Sequence, residues 1–110
     1  MKDPKLHSFL IYVTIFIVSI IFKLFPPKHI NAFYGYRTSK SMENQKIWDY
    51  ANKIFTNALF YSILIFGLIL IIVFLINIDI KYILLFEAIS IVVILLGVIL
   101  FTEIKLKKIN

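Results

Sequence analysis

Three long apolar runs dominate this chain, and one polar stretch separates the first from the second. The first run spans about residues 6–25 and ends at Pro26 and Pro27. The second, 54–78, carries no charge and has Gly67 inside it. The third, 82–102, carries a single acid, Glu87. A hydrocarbon core of about 30 Å is crossed by roughly 20 apolar residues in a helix, and each run is long enough. Proline lacks an N–H and restricts the residue before it, so the Pro pair stops the first helix. The link "NIDIK" allows only a tight turn, which makes runs two and three an antiparallel hairpin. The pattern predicts an all-α integral membrane protein with three transmembrane helices, forming a single domain over 1–110.

The segment 26–53 has its own periodicity. Ile47, Ala51, Ile54 and Phe55 recur at i, i+4, i+7 and i+8 and make one apolar helical face, while Lys46, Asp49 and Lys53 fall opposite. "TSKSMENQ" reads as the helix start, with Ser39 or Ser41 as cap and Glu43 complementing the positive helix end. No Gly or Pro intervenes before Gly67, so this helix is expected to run into the second span unbroken. From Met42 to Ile78 it is too long for a bilayer, and its first three turns or so are expected to project into the headgroups or the cytoplasm, or to bend along the interface. Gly35, between Tyr34 and Tyr36, suggests a turn or a close backbone contact.

Composition supports the membrane reading: 61% of the 110 residues are hydrophobic, too many for a soluble domain. The formal charge of +6, from 12 Lys and Arg against 6 Asp and Glu, would suggest nucleic acid in a soluble chain. Here the bases flank apolar runs, where they set topology and meet anionic lipid headgroups, so no direct nucleic-acid partner is expected. Lys2, Lys5 and Lys81 fall on one side. Lys28, Arg37, Lys40, Lys46, Lys53, Lys105, Lys107 and Lys108 fall on the other, and Lys23 can snorkel to that side too. The positive-inside rule then puts the N-terminus outside the cell membrane and the 26–53 loop and C-terminus in the cytoplasm. The basic start and apolar run resemble a signal peptide, but no small-residue cleavage site follows, so an uncleaved span is expected.

Candidate chemistry is sparse. Without cysteine there is no disulfide, thiolate catalysis or Cys-held metal. His7 and His29 fall on opposite sides of the membrane and cannot share a metal. No HExxH, phosphate loop or nucleophile–base pair occurs, so neither enzyme activity nor a cofactor is expected. Arg37 is read either as a sensor of the anionic leaflet or as the centre of a network with Asn31, Asn44, Asn52 or the Tyr hydroxyls. Trp48 has the general reading of an interfacial anchor. Asn52, at the start of the second span, needs polar partners, which the folded-back 31–44 loop could supply. Glu87 is an intramembrane carboxylate and by default a functional candidate. Either it is protonated or bonds to Tyr12, Thr14 or Asn77, with Lys81 able to snorkel towards it, or it lies shallow enough to reach water.

Asn31, "YGYRT" at 34–38 (Tyr34, Gly35, Tyr36, Arg37, Thr38), Ser41, Asn44, Trp48 and Asn52 occur in an order and spacing that resemble the signature of the SdpI family. That family is named for immunity to a sporulation-delaying peptide toxin. The resemblance implies a membrane immunity protein that protects against a secreted peptide toxin by binding it. It also implies, for the namesake type, signal transduction by drawing a transcriptional repressor to the membrane. The namesake type carries further N-terminal spans before this three-span unit. Three helices offer little interior of their own, so a homo-oligomer or a partner is a further expectation. Two rival functions stand beside immunity: a small transport or lipid-handling subunit with Arg37 and Glu87 lining a polar path, and a receptor that sequesters a repressor.

Overall fold

A computed structural model of the chain describes residues 3–109 and contains three helices: α1 (Pro4–Leu24), α2 (Gln45–Leu75) and α3 (Ile80–Leu106). Lys2, counted above among the N-terminal bases, lies outside the described residues. All three helices are long and apolar enough to cross a membrane. They lie along a body of 49 × 25 × 18 Å. The 31 residues of α2 rise about 46 Å, well beyond a hydrocarbon core of about 30 Å. The expected extension is therefore present. It starts at Gln45 rather than Met42, and α2 stops at Leu75, short of Ile78. The third helix runs four residues past the expected Thr102, to Leu106.

Local chemistry accounts for each end. Asp3 caps α1, accepting from the Lys5 N–H at 3.0 Å, and Pro4 occupies the first turn, where no N–H is needed. Asn44, not Ser39 or Ser41, caps α2: its side-chain oxygen accepts from the Ile47 N–H at 2.9 Å. Ser41 is unavailable because its hydroxyl is held inside the preceding turn. There it accepts from the Thr38 N–H at 2.8 Å and points to the Tyr36 and Thr38 carbonyls. Glu43 precedes the cap and pairs with Lys40 at 3.4 Å. At the other end of α2, Asn77 takes a left-handed φ of 67°, a conformation Asn tolerates better than most residues. Asp79 then caps α3, so α2 and α3 form the expected hairpin.

The interior runs as one stripe down α2: Ile47, Trp48, Ala51, Asn52, Thr56, Leu59, Ile63, Phe66 and Leu70. Three apolar clusters stack along it, centred on Tyr36, Ile47, Ala51 and Leu106, on Leu59, Ile63 and Val98, and on Phe66, Leu70 and Ile83. By contrast, the fully buried residues of α1 are Ser8 and Ser19, while its Phe9, Ile17 and Ile21 face outward. This inversion follows from the solvent: lipid is as apolar as Leu, so small and polar residues go to the helix interface. Gly67 allows the close approach of α1. A Cβ there would meet the Tyr12 ring at 2.7 Å, and the Tyr12 hydroxyl donates to the Ile63 carbonyl at 2.8 Å.

Candidate functional site

At the end of the bundle where α2 projects, the 25–44 loop folds back over α2 and α3. Three hydrogen-bonded clasps hold it. The first closes on Asn52, which is 2% exposed. Its Oδ1 accepts from the Tyr36 N–H at 2.6 Å, and its amide donates to the Trp48 carbonyl at 3.0 Å. Gly35 makes this approach possible. With φ of +112° it has a backbone few L residues adopt, and a Cβ would lie 2.6 Å from Pro27 Cγ and 2.9 Å from Asn52 Oδ1.

Trp48 forms the second clasp. Its ring is fully buried and its Nε1–H donates to the Pro27 carbonyl at 2.9 Å. The anchor reading is thereby corrected: the indole faces the protein interior, because the loop lies over it. The third clasp reaches α3. The Tyr36 hydroxyl donates to Glu103 Oε2 at 2.6 Å, the Thr38 hydroxyl donates to the same oxygen at 3.1 Å, and the Tyr36 ring lies 4.8 Å from that of Phe55. Burial above all, reinforced by the Glu103 carboxylate, pushes the Tyr36 phenol well above its ordinary 10.0.

Smaller turns support these clasps. Asn31 Oδ1 accepts from the N–H groups of Phe33 and Tyr34 at 2.9 and 2.7 Å. The Tyr34 hydroxyl donates to the Phe25 carbonyl at 2.5 Å, satisfying an acceptor past the end of α1, and its ring stacks on Phe22. Arg37 does not join the expected network. It is exposed, and its guanidinium donates to the Ala32 carbonyl, not to an Asn side chain or a Tyr hydroxyl. Among the expected site residues, Tyr36, Trp48 and Asn52 come together, Ser41 and Thr38 brace them, Asn44 caps α2, and Arg37 points outward.

The model of the SdpI/YfhL protein family matches residues 28–102, which include every residue of these clasps except Pro27 and Glu103. The chain belongs to the SdpI/YfhL family. Its relative "Uncharacterized protein YfhL" from Bacillus subtilis (strain 168) is 57% identical over 37 residues, a match that covers 34% of this chain and 34% of that protein. No solved structure matches. In this SdpI/YfhL protein, α1 falls outside the matched region, and Glu103, which receives two of the loop's hydroxyls, lies one residue beyond it.

Glu103 escaped sequence reasoning because it sits past the expected end of the third span, where an acid among lysines reads as a solvated tail. The extra turn of α3 is the signal that would have found it. Glu87 is the other acid of α3. It is fully buried, which overturns the reading that it lies shallow enough to reach water. Neither of its oxygens has a hydrogen-bond partner among the described residues. Of the expected partners, Tyr12 bonds to Ile63, Thr14 bonds to Leu10 and Lys81 lies over the Tyr82 ring, while Asn77 makes no hydrogen bond to Glu87. Ser8 of α1, itself buried and without a hydrogen bond, is the polar side chain beside it.

Glu87 and Glu103 are separated along α3 by about 24 Å at 1.5 Å per residue. The Leu59, Ile63 and Val98 cluster lies between their levels. Arg37 and Glu87 thus belong to opposite ends of the bundle with an apolar layer between them.

Proposed function

We propose that this SdpI/YfhL protein is a membrane immunity protein that protects the cell from a secreted antimicrobial peptide by binding it, without catalysis. The observation that carries this reading is how the signature is used. Asn31, Tyr34, Tyr36, Thr38, Ser41, Asn44, Trp48 and Asn52 all direct their polar atoms into internal hydrogen bonds. Such a segment is preorganised as a rigid surface, as binding requires. Among the residues it presents outward are Arg37 and Phe33, whose side chain is 90% exposed. The transport reading has less support, since Arg37 and Glu87 do not share a polar path. The repressor-receptor reading draws on the exposed basic residues Arg37, Lys46 and Lys53.

In the topology we favour, the N-terminus is outside and the clasped loop and C-terminus are cytoplasmic, as the distribution of Lys and Arg suggests. The chain has no native cysteine, so single cysteines at Lys40 and Lys81 can be labelled in intact cells with a membrane-impermeant maleimide. Labelling at position 81 alone supports this orientation; labelling at position 40 alone reverses it. Immunity is tested by expressing the chain in a strain sensitive to membrane-active peptides and challenging it with those encoded near its gene. Survival that Arg37→Ala abolishes, with the protein still folded in the membrane, supports the loop as the surface that meets peptide inserted through to the cytoplasmic leaflet. No protection against any such peptide would sink the immunity reading.

A further inference from the structure

A cleft of about 390 Å³ opens where the end of α1 meets α2, beside the clasped loop. Lys23, Lys28 and Lys53 line it together with Thr56 and Asn57, and Pro26 and Pro27 form its wall. Asp49 also lines it, so the cleft holds three cationic groups and one carboxylate. That carboxylate accepts from Gln45 Nε2 at 2.7 Å, and none of the three lysines is ion-paired. Among the described residues the sole salt bridge is Lys40 with Glu43.

Lys23 is fixed in place rather than free to wander. Its Nζ donates to Asn57 Oδ1 at 2.7 Å and lies 5.3 and 5.1 Å from the ring centres of Phe60 and Tyr61. An ammonium carries three donors, and this bond to Asn57 is its one hydrogen bond among the described residues. Asn57 accepts from Lys23, while its own amide nitrogen donates to no described residue. The cleft therefore offers several N–H donors and a net positive charge to an incoming group rich in acceptors.

We propose that this cleft binds the phosphate of an anionic glycerophospholipid. The chemistry calls for a compact anion with several acceptor oxygens, which a phosphodiester supplies. The setting favours a lipid over free phosphate. Leu24 and Phe25 at the end of α1 and Tyr61 on α2 are 65%, 68% and 54% exposed beside the cleft. They give acyl chains an apolar surface to follow while the headgroup sits among the lysines. The site is independent of any toxin. It would place a lipid against Pro27, whose carbonyl holds Trp48, and so join the bilayer directly to the signature loop.

The full chain in phosphatidylcholine nanodiscs, titrated with phosphatidylglycerol and ejected for native mass spectrometry, tests this. The wild type should retain one phosphatidylglycerol in clear preference to phosphatidylcholine. Interfacial lysines contribute about fivefold each, so Lys23→Gln with Lys53→Gln should lower that preference roughly 30-fold. Lys105→Gln with Lys107→Gln, an equal change of charge away from the cleft, should leave it. The emission of Trp48 reports whether each variant is folded. Equal losses in both double variants would reduce the effect to general surface charge and overturn the site. So would a wild type without preference. Displacement of the retained lipid by millimolar inorganic phosphate would overturn the assignment to a lipid.

Discussion

Asn52→Ala tests the centre of the loop architecture. The substitution removes the acceptor of the Tyr36 N–H and the donor to the Trp48 carbonyl. An N–H left buried without a partner costs about 1–3 kcal/mol, and the second bond contributes about 1 kcal/mol. The expected loss is therefore about 2–4 kcal/mol, or roughly 30- to 900-fold in the ratio of folded to unfolded protein. The chain has one tryptophan, Trp48, buried behind the same loop, so the network carries its own reporter. Unfolding in detergent by added dodecyl sulfate, followed by Trp48 emission and acrylamide quenching, measures both quantities. Asn52→Ala should shift the midpoint to lower denaturant, move the emission to the red and make the indole accessible. Asn44→Ala is the control: it removes a helix cap worth about 1 kcal/mol and should leave Trp48 shielded. A loss below about 0.5 kcal/mol with unchanged emission would lie within ordinary surface effects. It would refute the view that Asn52 holds the loop down.

Gly35→Ala should destabilise by at least about 2 kcal/mol, since it combines an unfavourable φ with contact to Pro27 and Asn52; Gly35→Asn should not rescue the midpoint, because its Cβ meets the same atoms. Glu87→Met with Ser8→Ala should raise stability by about 1–3 kcal/mol, because it removes buried polar groups that have no hydrogen bond; a less stable double variant in the same titration would show that a partner satisfies them. Tyr36 should make the fold sensitive to alkali. Its folded pKa lies above the unfolded 10.0, so the folded state holds the proton more tightly, and the stabilisation is complete below pH 10.0 and declines as pH rises beyond it. Midpoints measured from neutral pH to about pH 11 should fall less in Tyr36→Phe than in the wild type.

The three spans were legible because length and apolar content suffice to detect a membrane helix. Their ends were less so. Ser41 and Asn44 are both good capping residues, and only the turn that Ser41 closes with Thr38 decides between them. The buried face of the extension could be read from Ile47 and Ala51, since that part of α2 leaves the hydrocarbon and follows the rules of a water-exposed helix. Within the spans the same periodicity is silent. Ser8 and Ser19 point inward while Phe9 and Ile17 meet lipid, and hydropathy does not distinguish those faces. Asn52 was identifiable as an amide at depth that needed partners. The partner it found, the Tyr36 backbone, depends on the positive φ of Gly35 and is not encoded by any side chain. Arg37 misled for the opposite reason: five donors suggest a network, but its one listener is a loop carbonyl.

The distribution of satisfied and unsatisfied polar groups separates two kinds of polar residue that a signature alone cannot. In the clasped loop, the signature side chains Asn31, Tyr34, Tyr36, Thr38, Ser41, Asn44, Trp48 and Asn52 are satisfied from within, so exchanging any of them should act first on folding and only through folding on function. Arg37 is the polar signature residue that differs, bonded once to a loop carbonyl and exposed. Glu87 is a different exception, fully buried and unbonded at the far end of the bundle. Neither state serves the fold: an exposed arginine contributes little to it, and an orphaned carboxyl detracts from it. Loss of function without loss of folding should therefore concentrate at Arg37 and Glu87, whereas loss of both should follow Tyr36, Trp48 and Asn52.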